Sequence, residues 1–203
     1  MPAPHSVTPE LFYKSFLSLR GVLAAVIAAA PAFSKFVEEP VSAYLFPPLG
    51  DMAGVARLAV AVFAFGVTYA VCVWQVAEAK INRSLFSALA VAVVALFGYL
   101  YFHEEFVRQL YIPTLSRSVS VCIGSERTEM AKKTFGAASD EELLRSRGFD
   151  DEQLRWLWTP TSLRIARLAL FFTYSVCAWA LVAMCSLGVL RNARLRHQES
   201  RKL

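Results

Sequence analysis

Cysteine and histidine are scarce in this chain of 203 residues, with four of the first and three of the second. No Cys-x-x-Cys occurs, and His5, His103 and His197 are scattered, so a disulfide framework or a structural zinc site is not expected. Cys72, Cys177 and Cys185 lie inside apolar runs and read as small packing residues. Cys122 alone sits in a polar segment, where any disulfide would have to be made with another copy. Charged residues are also few, at 18% of the chain. Soluble domains carry about 25%. The glycine-rich phosphate loop, the nucleophile elbow and the dinucleotide fingerprint are all missing.

Each candidate for chemistry has a plainer reading. His103-Glu104-Glu105 suggests a metal helix, but the zinc pattern needs a second histidine at position 107, which is Val107. Ser118, Ser120 and Cys122 have no histidine near them in sequence. Asp150 and Asp151 read as acids at a helix start rather than as a catalytic pair. The expectation is a non-enzyme with no catalytic, cofactor-binding or metal-binding residues.

Long apolar runs dominate what is there. Hydrophobic residues make up 56% of the chain. Ala166–Leu190 has Arg167 as its one charge and stops at the cationic Arg191-Asn192-Ala193-Arg194-Leu195-Arg196. At about 1.5 Å of rise per residue such a run crosses a hydrocarbon core of about 30 Å. Leu58–Trp74 and Leu85–Phe102 also reach spanning length, and a shorter run, Gly21–Phe33, is bounded by Arg20 and Lys35. The fold class expected is therefore all-α: an integral membrane four-helix bundle with a small helical extra-membrane insert between spans three and four. Residues 1–103 would hold spans at about 16–37, 55–77 and 84–103. Residues 104–159 would form the polar insert, and residues 160–203 the fourth span, at about 164–190, with a basic tail. A cleaved signal peptide is the alternative reading of the first run.

Charge placement suggests the threading. The net charge is +5, and residues 191–203 hold five cations against Glu199 alone, so the tail carries four of the five. That is an anchor for anionic lipid rather than the basic face of a nucleic-acid-binding domain. With Lys14, Arg20, the turn from Lys80 to Arg83 and the tail on one side, the positive-inside rule puts both termini in the cytoplasm of a multi-pass cell-membrane protein. The connector bearing Glu38, Glu39 and Asp51 and the long insert then lie outside. Tyr99, Tyr101, Phe102, Trp156, Trp158, Phe171, Phe172 and Tyr174 are expected to form an aromatic belt at that outer face, with Trp74 marking the inner one. Arg57, at the outer edge, has Glu38 or Glu39 within reach as a partner.

In lipid, helices associate through close packing of small residues. The stripes available are Gly21, Ala25 and Ala29; Gly66 and Ala70; Ser84, Ala88, Ala92 and Ala95; and Thr173, Cys177 and Ala180. They serve packing within one subunit, or contacts that make a homo-oligomer, with or without a pore. In the insert, Ser139-Asp140-Glu141-Glu142 is a capping box and Gly148 a helix stop. Asp150 opens a second helix through Trp158, and Thr159-Pro160 opens a third that runs into span four. Pro113 is expected to end the continuation of span three, with Ser116–Ser125 a loop or short strand.

The functional expectation is a self-associating membrane component whose polar insert, residues 104–159, binds a protein partner or signal. A small transporter or ion channel is the first alternative, with Thr68, Tyr69, Thr173 and Ser175 as the mid-span polar residues to line a path. A membrane enzyme acting on lipid or peptide, using His103, is the second.

Overall fold

The computed structural model describes residues 46–73, 78–112, 117–148 and 150–200. The expected first span, Lys14, Arg20, Glu38, Glu39, Trp74 and Pro113 lie outside them. The described chain is mostly helical. A short 3-10 turn at Gly50–Met52 leads into α1 (Ala53–Val73), then α2 (Glu78–Phe106), strands β1 (Val107–Ile112) and β2 (Arg117–Cys122), and helices α3 (Glu129–Phe135), α4 (Asp140–Arg147), α5 (Asp151–Leu157) and α6 (Pro160–Ser200). Three segments are long and apolar enough to cross a membrane: Gly50–Val71, Lys80–Phe106 and Pro160–Asn192.

Three local outcomes depart from the sequence reading. Lys80–Arg83 is not a turn but the first part of α2. Ala79, Lys80 and Arg83 are strong helix formers with no glycine or proline among them, so the polar link winds into the helix. The helix ends at Phe106, well before Pro113, because the next residues favour a strand: Val107, Leu110, Tyr111 and Ile112 pair in antiparallel register with Arg117–Cys122. The insert is thus helical with a two-stranded sheet, and an all-helical chain is not what forms. The register sets Leu110 opposite Val119 and Val107 opposite Cys122.

Two compact units divide the described residues: 59–73, 78–95 and 175–200 fall in one, and 46–58, 96–112, 117–148 and 150–174 in the other. In the first, α1 runs alongside α6 in the same direction. Trp179 Nε1 donates to the Val60 carbonyl at 3.4 Å, and the Ser186 hydroxyl meets Thr68 Oγ1 at 3.4 Å. Ala64 and Val182 are fully buried between them, with Val67 and Trp179 packed alongside. The buried stripe of α1 is Ala56, Val60 and Ala64, not the expected Gly66 and Ala70. Gly66 is exposed, with open space around it. On α2 and α6 the expected stripes do supply buried positions, at Ala92, Ala95, Cys177 and Ala180.

The second unit has a conventional apolar core. Leu143 and Leu144 of α4, Leu154 and Leu157 of α5, Trp158 and Leu163 close over Leu110 and Val121 of the hairpin. The caps direct this packing. Ser139 and Glu142 form the reciprocal capping box, and Gly148 ends α4 with φ at +98°, a conformation that favours glycine. Thr128 caps α3 by accepting from the Ala131 N–H at 3.1 Å, and its hydroxyl reaches the Trp156 carbonyl at 2.7 Å. The Ser162 N–H donates to Thr159 Oγ1 at 3.3 Å, and α6 then continues from Pro160 for 41 residues. At about 1.5 Å per residue that is roughly 60 Å, twice a hydrocarbon core. The same helix supplies Leu163 to the core of the insert and contains the apolar segment Pro160–Asn192, long enough to cross a membrane.

Candidate functional site

The most unusual group in the second unit is Arg167. It is 9% exposed and lies two turns into α6, beyond the point where the sequence becomes apolar. Its guanidinium grips the Asp151 carboxylate through both terminal nitrogens: Nη2 donates to Oδ1 and Nη1 donates to Oδ2 at 3.3 Å. The side chains of the pair are 11% and 16% exposed. The backbone N–H of Asp51 donates to the same carboxylate at 3.3 Å. Gly50, with φ at +60°, makes room: a Cβ there would lie 2.6 Å from Asp151 Oδ1. The turn before α1, the start of α5 and the first third of α6 are thus fastened at one point.

Burial alone would push the Asp151 carboxyl up. Hydrogen bonds from Arg167 and Asp51 outweigh it and hold the group below the ordinary carboxylate value. Arg155 lies 4.0 Å from Asp51 on the exposed rim, where such a pair contributes little. Cys122 is the neighbouring nucleophile. Burial pushes its thiol up to about 12, and the nearby Arg167 only partly offsets that. The thiol stays protonated at neutral pH and is a poor nucleophile. Its burial also removes it from disulfide exchange with another copy in the folded protein.

An aromatic cluster accompanies the ion pair. Phe46 and Tyr99 both meet the Tyr174 ring edge-on, at 5.3 and 5.6 Å, and Arg57 lies 5.0 Å over Phe46. Tyr99 also meets the His103 ring at 5.7 Å. His103 is buried and borders a cavity of about 490 Å³ with Glu104 and Gln109. Ser120 stands opposite Gln109 and Ser118 opposite Tyr111 in the hairpin. Among the described residues no three histidine, cysteine or acidic side chains gather as a metal site would need.

Several expected positions land elsewhere. Asp151 is not a helix-cap acid but the partner of Arg167, while Asp150 takes the N-cap position without a side-chain hydrogen bond. Arg57 lies over the Phe46 ring, and its expected partners Glu38 and Glu39 fall outside the described residues. Tyr101 and Phe172 are exposed as a belt requires, but Tyr99 is 4% exposed and Trp158 1%, since both are core residues of the second unit. Trp156 is sandwiched with Phe135 and Arg147, the guanidinium 4.9 Å over its ring. Of the mid-span polar residues, Thr68 and Thr173 return their hydroxyls to the carbonyls of Ala64 and Ala169, at 3.1 and 2.7 Å. Tyr69 is exposed and Ser175 buried. The Arg167–Asp151 pair was not foreseen. The available signal was a lone arginine in a 25-residue apolar run, which calls for an acidic partner.

The arrangement thus brings together a shielded ion pair, a protonated thiol and stacked rings. Compared with family models, curated proteins and solved structures, the chain matches none.

Proposed function

We propose that the chain is a non-enzymatic, multi-pass integral membrane protein of the cell membrane, with its insert held outside as a recognition module and both termini in the cytoplasm. The observation that carries this reading is the exposure of large apolar side chains along the three long helices. Val55, Phe65 and Tyr69 on α1, Phe86, Val94 and Phe97 on α2, and Ile165 and Phe172 on α6 are all more than half exposed. In water such faces would aggregate, whereas in hydrocarbon they are the expected solvent contact.

The insert supports the recognition half of the proposal. It presents Tyr111 and Met130, 56% and 60% exposed, on an otherwise polar surface, which suits a protein partner. Self-association has support in Gly54 and Gly66, whose surroundings leave space for a close helix approach. The channel reading draws no support from Thr68 and Thr173, whose hydroxyls are occupied by their own helices.

Two experiments test the proposal. The protein should remain with the membrane after alkaline carbonate washing, and recovery in the aqueous fraction would refute it. Ala137→Cys, at an exposed insert position, should be labelled by an impermeant maleimide in intact cells above the parent background. Labelling only after permeabilisation would place the insert inside.

A further inference from the structure

We infer that the first unit holds one anionic phospholipid in a groove between α2 and α6, its phosphate at Lys80 and Arg83. The inference rests on the membrane reading above. The groove is an open surface depression of about 690 Å³ that runs from Lys80, Arg83 and Ser87 at one end to Val91 and Val176 at the other, floored by Ala88, Ala180 and Ala183. By helical rise it is roughly 16 Å long, a length that suits much of an acyl chain. Small alanines on both helices make the channel, and the surface in contact with the chain is mostly apolar.

Charge complementarity selects the occupant. A second cavity of about 140 Å³ opens beside Ile81 and Asn82, within the Lys80–Arg83 segment, and is bordered by Arg191 and Arg194. Lys80 and Arg83 line the groove, while Arg191 and Arg194 border this second, separate cavity. Among the described residues, no acidic side chain lines either cavity. Their flexible stems allow the charged heads to reach headgroup depth. Ser84 and Ser87 add hydroxyl donors for phosphate oxygens. A zwitterionic lipid would place its choline among these cations, so the site favours a net negative headgroup. This differs from the diffuse attraction of the 201–202 cations in the tail, because it has an acyl arm and a fixed stoichiometry.

The test is native mass spectrometry of the full chain released from vesicles of equal phosphatidylcholine and phosphatidylglycerol. One phosphatidylglycerol should be retained per chain. Lys80→Gln with Arg83→Gln should reduce its retention at least tenfold, and Arg201→Gln with Lys202→Gln should not. Ala88→Phe with Ala183→Phe, which fills the groove without changing charge, should also abolish it. Equal retention of the two lipids by the parent, or unchanged retention in either groove variant, overturns the inference. Carbonate washing of each variant separates the two claims: a parent that leaves the pellet defeats the membrane reading, whereas a parent that stays but shows no lipid preference defeats the groove alone.

Discussion

The two units of this chain differ in which side chains they bury and which they expose. In the second, Trp158, Leu143, Leu144 and Leu157 are at most 1% exposed, while Glu141, Glu142, Lys133 and Arg145 face outward. In the first, Ala64, Ser186, Val182, Val189 and Leu190 fill the inside, while Phe65, Phe86 and Val94 stand exposed. Hydrophobic collapse around a large aromatic shapes the insert region. Close packing with hydroxyl contacts, such as Ser186 to Thr68, joins the long helices of the first unit. The contrast means that one chemical change has different consequences in the two places.

The largest separation is expected from truncating aromatics. Trp158→Ala should destabilise the insert by about 3–5 kcal/mol, as loss of a fully buried ring does. Phe86→Ala, in the first unit at a position 74% exposed, should change stability little. Limited proteolysis across a temperature series measures both, and equal effects would erase the distinction. Next comes Arg167→Met, which strands the Asp151 carboxylate and should cost about 3–5 kcal/mol. Adding Asp151→Leu should restore most of that loss, because the cost lies in an unpaired buried charge. A double variant no better than the single would show that the pair itself, not the stranding, matters.

The same carboxylate gives a pH prediction. Its folded pKa lies below the unfolded value, so the stabilisation is fully present above about pH 4 and is lost as pH falls through the lowered value. The insert should melt at a constant temperature from pH 5 to 8 and lower below pH 4. Asp151→Asn should remove this contribution to the acid loss. Cys122, with its thiol near 12, should react with N-ethylmaleimide at pH 7 only as the insert unfolds. Fast labelling of the folded protein would contradict the burial. The smallest effect is the cap: Ser139→Ala should cost about 1 kcal/mol, read from the same melts.

Much of the architecture is visible in the sequence because its signals are local. Apolar length marks Leu58–Trp74, Leu85–Phe102 and Ala166–Leu190, and three of the four expected spans correspond to helices here. The Ser139 capping box, the Gly148 stop and the opening of α6 at Pro160 are likewise fixed by neighbours within four residues. What was not legible depends on distant partners. The hairpin needs Val107–Ile112 to find Arg117–Cys122, a pairing that neither segment specifies by itself. Asp151 looks like any helix-start acid until Arg167 and the Asp51 amide are brought beside it. Likewise, α1 buries Val60 and Ala64 because of what α6 offers, which small-residue spacing within α1 alone does not specify.

Site-directed spin labelling with paired relaxation agents reads solvation residue by residue. Labels at Phe65, Val94 and Phe97 in reconstituted protein should collide freely with oxygen and be shielded from a water-soluble nickel complex, while labels at Lys133 and Ala137 should show the reverse. Nickel access at all five positions alike would mean that water, not lipid, surrounds the long helices.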